Sequence, residues 1–61
     1  MTFKVKFDTD NAAFEDDNRD MEIARILRHI ANLVEVEGVS TTYRTILDVN
    51  GNDVGRWALK P

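Results

Sequence analysis

From about Asp20 to Val36, six apolar residues, Ile23, Ile26, Leu27, Ile30, Leu33 and Val34, fall at i, i+3, i+4, i+7, i+10 and i+11. That spacing lays them along one face of an amphipathic helix, and the face must be covered by other apolar groups. The rest of the chain reads with a period of two, so the cover is a sheet. Asp17 or Asn18 can cap the first free N–H groups, while Asp20 and Glu22 suit the positive end of the helix dipole. Gly38 stops the helix as the residue just past its end. Glu35 and Glu37 sit at the negative end, which predicts fraying after about Val34.

Thr2 to Asp8 alternates strictly, with Phe3, Val5 and Phe7 on one side and Thr2, Lys4 and Lys6 on the other, as a half-buried strand does. Thr9-Asp10-Asn11 then supplies turn formers, and Ala12-Ala13-Phe14 is expected to make one helical turn that lays Phe14 on the core. Thr41 to Val49 and Asp53 to Leu59 read as two strands of a hairpin. A two-residue Asn50-Gly51 loop would set Asp48 against Asp53, a like-charge pair. A three-residue Val49-Asn50-Gly51 loop, with Gly51 left-handed, pairs Asp48 with Asn52 instead and is preferred. This register sets Tyr43 opposite Trp57 and Thr45 opposite Gly55, with Leu47, Val49 and Leu59 on the same side. Arg44, Ile46, Val54 and Arg56 turn to the other side.

Strand, helix, strand, strand, joined by a right-handed crossover, gives an α+β domain spanning residues 1–61. Its three-stranded antiparallel sheet has the order 1-3-2, with the helix on one face. Phe3, Val5, Phe7, Tyr43, Leu47, Trp57 and Leu59 are the expected partners of the helix stripe. With 61 residues, such a fold buries only about 60% of the surface its unfolded chain exposes, and a self-paired dimer would ease the shortage. There is no cysteine to supply disulfides or thiolate ligands. Met1 to Lys6 lacks a continuous apolar targeting segment and no apolar run reaches membrane-spanning length, so a cytoplasmic chain without a membrane partner is expected.

Candidate chemistry is sparse. The only serine is Ser40 and the only histidine His29, and a nucleophilic site needs both, convergent, with an orienting group. The expectation is no catalysis and no cofactor. Asp48, Asn50 and Asn52 match the first ligands of a calcium loop, yet Asp53 replaces its turn glycine and Leu59 its bidentate glutamate, so no metal site is expected. Asp8, Asp10, Glu15, Asp16, Asp17, Asp20 and Glu22 make an acidic stretch relieved only by Arg19. Local turn and helix-start preferences explain part of it, and the functional reading is a negative surface offered to a basic protein partner. With Tyr43 and Trp57 under the helix, the open sheet face would gather Lys4, Lys6, Arg44, Arg56 and Lys60. Such a face could track a phosphate backbone, less favoured for a chain of net charge −3 and without an aromatic for base stacking. Ile46 beside Val54 on that face suggests a homodimer packed sheet to sheet.

Two stretches, Lys6-Phe7-Asp8-Thr9-Asp10-Asn11-Ala12-Ala13-Phe14-Glu15-Asp16-Asp17 and Asp48-Val49-Asn50-Gly51-Asn52-Asp53-Val54-Gly55-Arg56-Trp57, resemble a widespread group of short, uncharacterised proteins of bacteriophage and prophage genomes. The resemblance covers most of the chain. It implies a phage or prophage origin and a host-cytoplasmic setting, and it carries no functional residue over. The expected function is a noncatalytic accessory protein that binds another protein through its acidic surface, with nucleic-acid binding by the basic sheet face as the alternative.

Overall fold

The computed structural model describes residues 1–61. The elements run β1 (Thr2–Phe7), a 3-10 turn (Ala12–Phe14), α1 (Asn18–Glu37), β2 (Arg44–Leu47) and β3 (Asp53–Lys60). The sheet is antiparallel throughout in the expected order β1-β3-β2. No helix is long and apolar enough to cross a membrane. Ile26 and Ile30 of the helix stripe close over Trp57 and Ile46 of the sheet, and Ala13 and Phe14 of the 3-10 turn seal one end. Phe14 is buried with its ring 6.2 Å from that of Phe7, so the isolated aromatic of the polar loop is a core residue.

The helix differs from expectation at both ends. Asp17 makes no side-chain capping bond and the Asn18 N–H donates to the Glu15 carbonyl instead, through the turn that Asp16 forms at φ 54°. Fraying after Val34 does not occur. The Gly38 N–H donates to the Val34 carbonyl at 3.0 Å, and Glu37, misplaced for the dipole, lies 3.4 Å from the Arg44 guanidinium.

The hairpin turn has the expected three-residue form. Gly51 takes φ +83°, its N–H donates to the Asp48 carbonyl, and the Asp48 N–H donates to that of Asn52. Leu47 accordingly stands opposite Asp53, but the next pair is Ile46 with Gly55, so Val54 is an extra residue on β3. This β-bulge shifts the remaining pairs by one and turns β2 over, because side chains alternate faces. Arg44, expected on the open face, lies opposite Trp57 under the helix, with its guanidinium 5.3 Å from the indole centroid. Ile46 is buried in the core, whereas Tyr43 and Leu47, expected there, are about half exposed. Val54, also expected outside, packs against the core. Ile46 has no polar atom to satisfy, while a buried Tyr43 would need a partner for its hydroxyl. With Ile46 and Val54 inward, the apolar pair proposed for sheet-to-sheet dimerisation does not exist.

Candidate functional site

A polar junction fastens the hairpin turn to the helix and to the 3-10 turn. The Glu22 carboxylate, 6% exposed, accepts from Arg25 Nε and Nη2 at 2.5 and 3.0 Å and from the Val49 N–H at 2.7 Å. Arg25 Nη2 also donates to the Leu47 carbonyl at 3.2 Å. Beside it the buried Asp48 carboxylate accepts from the N–H groups of Asn50 and Asn52 and from the side-chain amides of Asn52 and Asn11. The Arg25 hydrogen bond holds the Glu22 carboxyl below its ordinary value, although burial works against it. For Asp48 burial is the largest influence and raises the value, yet its donors together outweigh it and leave the carboxyl below the usual range.

A carboxyl that titrates lower when folded contributes stability that is present above its unfolded value and lost as pH falls through its folded one. Acid unfolding is therefore expected to set in as pH falls through the ordinary carboxyl range, about 4, and to continue below it. Glu22→Gln combined with Asp48→Asn should lower the melting temperature at neutral pH and flatten its dependence over this range. A melting curve with an unchanged acid slope would refute the assignment.

This junction removes Glu22 from the acidic surface. Asp8, Asp10, Glu15, Asp16, Asp17 and Asp20 do stand in solvent, and of these only Asp20 has an ion-pair partner, Arg19 Nε at 3.3 Å. Of these, Asp20 lines a groove between the 3-10 turn, the start of α1 and the hairpin turn, together with Ala12, Met21, Val49 and Asn50 and with the arginines Arg25 and Arg28. Met21 is 73% and Val49 64% exposed. Val49, expected on the helix-facing side with Leu47 and Leu59, stands in solvent instead, and Met21 had no expected role. Their signals were an apolar residue in the middle of a turn and a methionine off the phase of the helix stripe.

The open sheet face holds Lys4, Lys6 and Arg56 of the expected basic set, joined by Tyr43, which lines a shallow depression with all three. Lys60 Nζ sits 4.5 Å from the Tyr43 ring centroid and donates to the Thr41 carbonyl. Arg56 is held by Asp53 at 2.5 Å, so each ionises more readily for the other's presence. Lys4 and Lys6 have no ion-pair partner. Arg44 belongs to the other face.

His29 is exposed on α1, and the Ser40 hydroxyl accepts the Thr42 N–H within its own turn. No three histidine or carboxylate side chains converge as metal ligands would. No family model, curated protein or solved structure matches the chain.

Proposed function

We propose that this chain is a noncatalytic protein-binding module that receives a basic, partly apolar segment of another protein in the groove beside the hairpin turn. The observation that carries this reading is the exposure of Met21 and Val49 in one groove, in a chain whose exposed Asp8, Asp10, Glu15, Asp16 and Asp17 have no ion-pair partner. Apolar anchors in a concave site supply affinity, while the unpaired charges of the acidic segment steer a basic partner and select against an acidic one. The buried junction of Glu22, Arg25 and Asp48 fixes the groove's walls, so little ordering is required on binding. The resemblance to small phage proteins fits an accessory role in the host cytoplasm.

A second reading rests on Tyr43. Its place among Lys4, Lys6 and Lys60 supplies the stacking ring that a single-stranded nucleic acid site uses, although Arg56 is already paired and the net charge opposes it.

One titration separates the two. The isotopically labelled chain is followed by NMR at ~50 mM salt against a Lys/Arg/Leu peptide, the same peptide with Glu for its basic residues, and oligo-dT. Only the basic peptide should shift the amides of Asp16 to Met21 and Val49, and Asp16→Asn with Asp17→Asn and Asp20→Asn should weaken it about tenfold or more. No response there sinks the first reading; shifts at Lys4, Lys6 and Tyr43 with oligo-dT would replace it by the second.

A further inference from the structure

We propose that two copies of this chain associate about a two-fold axis through the free edge of β1 and the adjoining flank of α1. The edge is well defined. The Asp8 N–H donates to the Val54 carbonyl of β3, so the alternating N–H and C=O groups of Lys6 and Lys4 also face β3, while those of Phe3, Val5 and Phe7 point outward. No other strand pairs with β1, and it carries neither a proline nor a bulge to blunt its edge.

Above this edge an apolar groove runs between β1 and the helix, lined by Phe3, Val5, Leu27, Ala31, Val34 and Val39. Phe3, Leu27 and Val39 are about half exposed there. One helix cannot cover a three-stranded sheet from side to side, and this flank is what it leaves open.

A second copy fits because the surface is complementary to itself. An antiparallel strand edge pairs with its own image across a two-fold axis, with Val5 opposite the partner's Val5 and Phe3 opposite the partner's Phe7. The helices then lie antiparallel and cross near Ala31, whose small side chain permits close approach. A standard interface takes about 800 Å² from each partner. That is about a fifth of the 4392 Å² this chain exposes, within reach of a strand edge plus a helix flank. Lys4 and Lys6 point to the opposite face and stand across from the partner's lysines, which keeps the pairing reversible.

Sedimentation of the full chain from ~1 μM to ~1 mM should show the mass rising from 7.0 kDa to twice that value. Leu27→Glu and Ala31→Glu, both at exposed positions, should each raise the dimer Kd about tenfold or more with an unchanged circular dichroism spectrum. Val49→Ser on the protein-binding groove should leave it unchanged. A monomer at every concentration overturns the proposal, as does a dimer that either single variant leaves intact.

Discussion

An alanine at position 55 is expected to unfold most of the protein. A Cβ built on Gly55 would lie 2.6 Å from both Cα and Cβ of Phe7, and closer still to the Lys6 carbonyl oxygen. These are not flexible side-chain ends that can swing aside. Two of the three are main-chain atoms of β1, so relief requires that strand to move off β3. Overpacking that displaces backbone costs about 3 kcal/mol or more. A chain this short has roughly 3–9 kcal/mol of stability in all. The gap exists because Gly55 follows the bulge residue and faces Phe7 on one side and Ile46 on the other. Urea denaturation followed by circular dichroism measures the loss. A cost below about 1 kcal/mol would mean that β1 and β3 do not approach as described.

Truncating Trp57 should be nearly as damaging, and its contrast with Tyr43 tests the bulge directly. Trp57 is 1% exposed on the central strand, opposite Val5 and Arg44, with its ring 5.8 Å from that of Phe3. Trp57→Ala is expected to cost about 3–5 kcal/mol through lost burial and the cavity left behind. In the unbulged register Tyr43 would be its cross-strand partner in the core, and Tyr43→Ala would approach that figure. Tyr43 lies instead on the open face, 48% exposed with Lys60 above its ring, so its loss should cost about 1 kcal/mol or less. Similar costs for the two variants would restore the unbulged hairpin.

The bulge marks where local pattern stops being informative. The stripe from Ile23 to Val34, the alternation of Phe3, Val5 and Phe7, and the Asp48 to Asn52 turn all reflect short-range requirements, and each is legible from neighbouring residues. Val54 is different. Whether a strand carries an extra residue depends on which of two apolar sets fits under the helix, and that is decided by β1 and α1 together. The available signal was Gly55 itself, a glycine inside an apolar strand, which marks a bulge or a close backbone approach. Its consequences run directly into the candidate sites. Arg44 leaves the basic face, Tyr43 enters it, and Ile46 no longer offers a dimer surface.

The acidic stretch shows the same division at the level of single side chains. Composition identifies Asp8, Asp10, Glu15, Asp16, Asp17, Asp20 and Glu22 as one negative segment, and six of the seven are exposed. Glu22 lies one turn into the helix on the side that meets the hairpin, where Arg25 and the Val49 N–H take its carboxylate. Asn11 and Arg25 have no distinguishing sequence context either. Their roles arise because segments 37 and 22 residues apart come within hydrogen-bonding distance.

By itself, the sequence determined the element types, the antiparallel 1-3-2 sheet under one helix, and the left-handed Gly51 turn. Hydrophobic period, chain handedness and glycine's tolerance of positive φ act over a few residues or follow from connectivity. Only the tertiary structure decided which face of β2 is buried and which carboxylate is committed to the frame. A one-residue shift reverses every side chain of a strand without changing its local pattern, and the Val49 N–H reaches the Glu22 carboxylate only where packing has brought the hairpin turn to the helix.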